Sequence, residues 1–240
     1  MIIDHWRLME VLNVKIDNLS KKEILNQIEL FLAEPRFHRI VTINPEFILE
    51  AQKNPEFRDV LNASDLNVAD GVGIWFAFLR FGRILKTRLA GADLMLEILR
   101  LAQEKNLKIF LAANKNGLST WQETRTAILK IYPRLIISGA NVDIKNTDDR
   151  LLMTNDTLLL CNFGAPFQEL FINQVKCDTI RLAMGVGGAF DFLTGKIKRA
   201  PKWMRKLGLE WLWRLILQPK RIGRIFRAVV VFPVKVIFSK

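Results

Sequence analysis

The sequence predicts an α/β fold: a Rossmann-like, mostly parallel sheet with helices on both faces, followed by a basic helical C-terminal appendage. Three observations predict it. Short apolar runs of β-forming residues alternate with stretches whose apolar residues recur at helical spacing. Polar and glycine clusters fall where the apolar runs end, and those are the positions at which open parallel sheets bind ligands. After Gly195 the texture changes to a basic, tryptophan-bearing segment broken by Pro201, Pro219 and Pro233.

In chain order, Met9 to Ile16 is read as a first strand. Ser20, with Glu23 three residues on, forms a capping-box start for a helix that carries Ile24, Ile28, Phe31 and Leu32 on one face. His38 to Ile43 is a strand that stops at Asn44-Pro45 by turn chemistry. Helices are expected over Glu46 to Gln52 and Glu56 to Asn62, then a short strand from Leu66 to Ala69 that ends at Asp70-Gly71. Ala92 to Lys105 is a helix, Leu107 to Ala112 a buried strand, Gly117 to Ile131 a helix and Leu135 to Ile137 a strand. Thr157 to Cys161, a helix near Pro166 to Val175, and Thr179 to Met184 make a further strand–helix–strand unit. In the tail, Trp203 to Leu217 reads as one amphipathic helix, with Trp203, Leu207, Trp211, Leu212, Leu215 and Ile216 as its apolar stripe. Residues 1–195 are thus expected to form the α/β domain and residues 196–240 a basic amphipathic appendage.

A chain of 240 residues, half of them hydrophobic, is long enough to bury one sizeable core. Its formal net charge of +12 is unevenly placed. Residues 196–240 hold 13 Lys/Arg and one acidic residue, Glu210, whereas the first 195 residues carry 23 basic and 23 acidic side chains. Such asymmetry points to an anionic partner for the tail: membrane, nucleic acid or phosphate. Tryptophan at helical spacing among Leu and Ile fits a membrane interface. The sequence holds no nucleic-acid-binding motif, so no nucleic acid is expected as a partner. Cys161 and Cys177 lack metal-ligand spacing and read as buried thiols in a reducing compartment. Met1 to Arg7 has neither the basic nor the apolar region of a signal peptide, and no run reaches the ~18 apolar residues of a membrane span.

Several chemistries lack their signatures. There is no phosphate-loop motif, no H-E-x-x-H and no G-x-S-x-G; Gly185-Val186-Gly187-Gly188 runs into Ala189-Phe190 and does not complete G-x-G-x-x-G. Two histidines poorly supply a triad or a zinc site. A D-x-D pair, which many nucleotide-sugar transferases use to hold a divalent cation, is also missing. Phosphate binding would therefore fall to Arg, Lys, backbone N–H groups and helix N-termini.

Asp70 is the leading general-base candidate, since a carboxylate at a strand end beside a flexible glycine can face a cleft and accept a proton from a hydroxyl. The same spacing allows Asp70 merely to cap the helix that begins near Val72. Thr42 and Asn44 suit hydrogen bonding to a sugar or base, or the closing of an Asx-type turn. Arg88 precedes a helix and suits phosphate, or plain solvation. Gln168 and Glu169 stand at a strand-to-helix turn, where acidic side chains also suit the helix dipole. Gly185 and Gly187 let backbone approach a ligand, or permit a tight turn.

Five segments taken together resemble one family. They are Thr42-Ile43-Asn44-Pro45-Glu46, Ala69-Asp70-Gly71-Val72-Gly73, Arg88-Leu89-Ala90-Gly91, Phe163-Gly164-Ala165-Pro166-Phe167-Gln168-Glu169 and Gly185 to Phe192. Their order and spacing are similar to those of the WecG/TagA/CpsF glycosyltransferases, as are Arg199-Ala200-Pro201 and Leu209-Glu210-Trp211 in the tail. The resemblance covers about Val11 to Arg227. Phe167 departs from it, standing where the family often has Lys.

The resemblance implies an inverting, metal-independent transfer of a hexosamine, N-acetylmannosamine, from a UDP-sugar. The implied acceptor is a sugar linked to undecaprenyl diphosphate in cell-wall or surface-polysaccharide synthesis, and no cofactor is implied. Carried onto this chain, Asp70 would be the base, Thr42, Asn44 and Gln168 would line the sugar pocket, and Arg88 would lie near the substrates. Arg214, Arg221 and Arg224 would meet diphosphate from the appendage at an anionic membrane surface. The implied location is cytoplasmic, peripheral on the inner face of the cell membrane, and the apolar content leaves room for a homo-oligomer. The rival readings are a basic-tailed nucleic-acid-binding protein and a non-enzymatic membrane-associated scaffold.

Overall fold

The structure, a computed structural model, describes residues 8–144 and 157–239; Met1 to Arg7, read above for a targeting signal, lies outside them. Eight strands form one sheet in the order β1-β2-β4-β3-β8-β7-β5-β6. The strands are β1 (Leu8–Val11), β2 (Val14–Asp17), β3 (His38–Ile43), β4 (Leu66–Ala69), β5 (Lys108–Asn114), β6 (Ile136–Val142), β7 (Leu158–Cys161) and β8 (Leu182–Gly185). All neighbouring pairs are parallel except the β1–β2 hairpin at one edge. The mostly parallel α/β class expected from the alternating pattern is therefore the observed one.

Buried parallel strands must be apolar on both sides, because helices cover both faces. β3, β4, β7 and β8 are buried along their whole length. Helices α1 (Lys21–Ala33), α5 (Gly91–Glu104), α6 (Trp121–Leu129) and α8 (Ala189–Leu193) cover one face, where Ile28, Ile98, Ile128 and Phe190 pack over Ile40 and Leu111. Helices α2 (Pro45–Ala51), α3 (Pro55–Asn62) and α4 (Val72–Arg80) cover the other face beside β3 and β4. Further along that face, α7 (Phe167–Gln174) seats Phe171 and Ile172 against β7. The α1 capping box forms as expected: Glu23 N–H donates to Ser20 Oγ and Ser20 N–H to Glu23 Oε2, at 3.3 and 2.8 Å. Thr120 and Glu123 make the same box on α6, so that helix starts at Trp121 rather than at Gly117.

Two expectations fail on local geometry. Met9 to Ile16 is not one strand but a hairpin, turning at Leu12 and Asn13, whose φ angles are 49° and 61°. Two left-handed residues give the turn whose twist matches a hairpin. The turn is hidden in the sequence because apolar Leu12 bridges the gap between Val11 and Val14, masking the one-residue phase shift between buried Met9 and Val11 and buried Val14 and Ile16.

Trp203 to Leu217 is likewise not one helix. It divides into α9 (Lys202–Lys206) and α10 (Glu210–Leu217) at Gly208, whose φ is 75°. The break lets the backbone touch the α/β domain, where a Cβ on Gly208 would stand 3.0 Å from Val72 Cβ. The chain continues through a 3-10 turn at Pro219–Arg221, α11 (Ile222–Phe226), a π-helical stretch at Arg227–Val231 and α12 (Phe232–Phe238). Phe232 and Val236 are fully buried among Phe47, Ile74 and Phe78. Burying two such side chains contributes about 1.5–3 kcal/mol each, which fixes the end of the tail to α2 and α4.

Candidate active site

A cavity of about 580 Å³ opens at the carboxyl ends of β4, β3 and β8 and is roofed by the tail. This is where the strand order reverses, since β3 and β4 run outward on one side and β8, β7, β5 and β6 on the other. Crevices of open sheets form at such switch points. Asp70, Thr42, Asn44, Arg88, Gln168, Gly185, Gly187, Arg214 and Arg221 all line it. Two of the expected residues do not. Glu169 lies behind Gln168, buried, and Arg224 lies outside, pairing through Nε and Nη2 with Glu46 Oε2.

Asp70 follows β4 directly. It does not cap α4: Gly71 holds that position at φ 88° without a side-chain bond. The Asp70 carboxylate instead accepts the Gly91 N–H, at 3.4 Å, at the start of α5. Its half-buried position pushes the carboxyl up to about 6, and the Glu210 carboxylate adds to the rise. The Gly91 N–H and the Arg214 and Arg88 guanidinium groups act in the opposite direction. A carboxylate poised near neutrality in a partly closed cleft suits proton transfer from a hydroxyl.

The other expected residues are placed by local chemistry. Asn44 caps α2, its Oδ1 accepting the Glu46 and Phe47 N–H groups at 2.9 and 3.2 Å. That is the turn role; its amide nitrogen donates to no group among the described residues. Thr42 is buried at the end of β3 against Gly91, where a Cβ would lie 2.9 Å from Thr42 Oγ1. Gln168 Oε1 accepts the N–H groups of Gly164 and Gly187 at 3.0 and 3.1 Å, and its Nε2 donates to Glu169 Oε1 at 2.6 Å. One side chain thereby joins the two glycine loops beyond β7 and β8. Gly185 makes room for it, since a Cβ there would meet the Gln168 amide at 2.4–2.5 Å. Burial pushes the Glu169 carboxyl up to about 8, so it is neutral at pH 7.

The tail contributes cations. Arg214 lies 5.0 Å from the Phe192 ring centroid on the cavity wall. Burial, with Arg214 and Arg224 nearby, holds Arg221 below the usual arginine range. Arg224 pairs with Glu46 and Arg214 lies 3.7 Å from Glu210, so these guanidinium groups outnumber their carboxylates, and such a cluster favours an anionic ligand. Sequence reasoning missed the clasp beneath them. Asp93 accepts both Nη1 and Nη2 of Arg199, at 2.7 and 2.8 Å, and Nη1 of Arg205 at 3.3 Å. It also assigned no role to Glu210, which lines the cavity. The available signal was its being the one acidic residue among the tail's 13 cations.

An open, mostly parallel sheet with a cleft at its switch point is the arrangement of Rossmann-like ligand-binding domains. Within that class, the chain belongs to the glycosyl transferase WecG/TagA/CpsF family, whose family model matches residues 9–240. It is 32% identical over 192 residues to a Bacillus spizizenii protein, covering 78% of this chain and 74% of that one. It is 30% identical over 221 residues to a Bacillus subtilis protein, covering 89% and 85%. A Staphylococcus aureus protein is 29% identical over 242 residues, covering 97% and 93%. All three are named N-acetylglucosaminyldiphosphoundecaprenol N-acetyl-beta-D-mannosaminyltransferase. The chain is accordingly a glycosyltransferase, as its motifs implied.

Proposed function

We propose that this glycosyltransferase moves N-acetylmannosamine from a UDP-sugar to N-acetylglucosamine linked to undecaprenyl diphosphate, with inversion and without a metal. The observation that carries the reading is Asp70, raised to about 6 on the cavity floor beneath Arg88 and Arg214. The names of the three relatives support the sugar and the acceptor.

In this reading Asp70 takes the proton of an acceptor hydroxyl as its oxygen attacks the anomeric carbon. The bond from that carbon to the diphosphate breaks on the opposite face, and UDP departs with the bonding pair. Charge grows on the diphosphate as it leaves, and Arg88, Arg214 and Arg221 stabilise it more in the transition state than in the ground state. Thr42, the Asn44 amide and the backbone at Gly185 and Gly187 line the space for the sugar, while Gln168 and Glu169 hold that backbone in place. Arg224 bears on the diphosphate through Glu46 and the fold of α11 rather than by contact.

Residues 196–240 act as an appendage that both roofs the site and meets the inner face of the membrane. Trp203, Leu207, Ile216, Ile222, Phe226 and Phe238 expose apolar surface there among Lys and Arg. Among the described residues no helix is long and apolar enough to cross a membrane. Near an anionic surface each cation contributes ~1 kcal/mol of attraction.

The test is UDP release from a panel of UDP-sugars with a short-chain diphosphate-linked N-acetylglucosamine acceptor, in EDTA, for native protein and Asp70→Ala. Acceptor-dependent release with UDP-N-acetylmannosamine, retained in EDTA and lost in the variant, is the expected result. Release with another donor alone, loss in EDTA, or full activity in the variant would overturn the corresponding part.

A further inference from the structure

Glu210 is the one acidic residue of residues 196–240, and α10 directs it into the cavity rather than onto a solvated face. Its carboxylate accepts no side-chain hydrogen bond among the described residues. Arg199 Nε and Arg214 Nη2 stand 3.8 and 3.7 Å away, close enough for ion pairing but beyond hydrogen-bond reach. The side chain is 21% exposed and its two ion-pair contacts leave lone pairs of the carboxylate open to the cavity. Asp70 and Glu210 both line this cavity, and the Glu210 charge helps to raise the Asp70 carboxyl.

The chemistry that such lone pairs would recognise in a ligand is constrained. A carboxylate repels a diphosphate, so its oxygens cannot serve the leaving group. They suit neutral donors, and a pyranose ring offers several hydroxyls and, in an N-acetyl sugar, an amide N–H. Of the two sugars in the reaction, the acceptor is the one whose hydroxyl must reach Asp70. The group facing Asp70 from the roof is therefore placed to meet the acceptor.

We propose that Glu210 is an acceptor-binding residue, whose carboxylate accepts a hydrogen bond from a hydroxyl or amide N–H of the acceptor sugar and holds that sugar between α10 and Asp70. The proposal rests on the reading of Asp70 as base. It gives the appendage a part in acceptor selection, alongside its cations.

Steady-state kinetics on the full chain test it, with native enzyme, Glu210→Gln and Glu210→Ala assayed on the acceptor and on analogues lacking one hydroxyl or the N-acetyl group. Losing a hydrogen bond to a charged group should raise the acceptor KM about 10-fold or more in Glu210→Ala, with the donor KM within about twofold of native. One analogue should lose about 10-fold with native enzyme and little with Glu210→Ala. An unchanged acceptor KM, a change in donor KM alone, or identical losses for every analogue in native and variant would each overturn it. Glu210→Gln keeps one acceptor oxygen and loses only the charge, so its acceptor KM should lie between those of native enzyme and Glu210→Ala; if the alanine variant does not fold, Glu210→Met, which offers the sugar no acceptor oxygen, takes its place in the same comparison. Asp70→Asn is run in parallel. Full activity there would sink the base reading, while the analogue comparison, made between acceptors on one enzyme, would still report on Glu210.

Discussion

Arg88 Nη2 donates to the backbone carbonyl of Arg205 at 2.7 Å, joining the loop before α5 to the end of α9. A cavity-lining arginine therefore also ties the roof to the floor. Asp93, two residues into α5, fastens the same roof through Arg199 and Arg205. Arg88→Ala should free α9 and α10 while leaving the sheet intact. Limited proteolysis should cut within residues 196–218 faster than in native protein, and transfer should fall about 10-fold or more. Equal cutting rates would mean that the Asp93 clasp and the buried Phe232 hold the tail unaided.

The elevated Asp70 carboxyl predicts the pH dependence of both rate and stability. As the base it must be ionised, so kcat/KM should rise with pH through about 6. For stability, the folded value of about 6 lies above the ordinary 3.8. The stability associated with the neutral form is complete below 3.8 and is lost as pH rises through 6. At pH 7 the ionised group strains the fold, so Asp70→Asn should be inactive yet more stable than native, by about 1–3 kcal/mol. Denaturant unfolding at pH 4 and pH 7 checks this, with the difference expected only at pH 7. A destabilised Asp70→Asn at pH 7 would show that Gly91 and the arginines outweigh burial.

Much of this site was legible because period and turn chemistry fix where strands end. His38 to Ile43 and Leu66 to Ala69 were placed by apolar runs that stop at Asn44-Pro45 and Asp70-Gly71, and their ends bring Thr42 and Asp70 to one cleft. What was not legible depends on tertiary packing. Arg214 and Arg224 look alike in sequence, but α11 turns Arg224 toward Glu46 and out of the cavity. Gln168 and Glu169 are adjacent, yet one lines the cavity and the other lies behind it, because α7 carries them on different sides. The break at Gly208 was masked by an apolar stripe that continues across it.

At Gly185 backbone and side chain meet too closely for any other residue. A Cβ would stand 2.4 Å from Gln168 Nε2 and 2.7 Å from its Cγ. Gly185→Ala must push Gln168 away, releasing the N–H groups of Gly164 and Gly187 that Oε1 now accepts. Overpacking of this kind costs about 1–3 kcal/mol. The donor KM should rise more than the acceptor KM, because Gly185 and Gly187 border the cavity where the donor sugar is proposed to lie. Thermal unfolding and separate KM measurements check the two parts.

Glu169 offers the sharpest separation between charge and hydrogen bonding. It is buried, its Oε2 has no partner among the described residues, and its Oε1 accepts from Gln168 Nε2. With a folded value of about 8 against an ordinary 4.5, its neutral form is the one the fold accommodates. The associated stability is complete below 4.5 and is lost as pH rises through 8. Glu169→Gln preserves shape and an acceptor oxygen while removing the titration. It should match native stability near pH 4 and exceed it at pH 9, with transfer at pH 7 little changed. Glu169→Ala removes the acceptor as well and leaves a cavity beside Gln168, so it should destabilise by about 2–4 kcal/mol near pH 4, by less as pH rises and the native carboxyl ionises, and it should lower transfer. Denaturant midpoints at pH 4, 7 and 9 discriminate. If Glu169→Gln loses transfer at pH 7 as Glu169→Ala does, the ionised carboxylate is in use there and Glu169 does more than hold Gln168 in position.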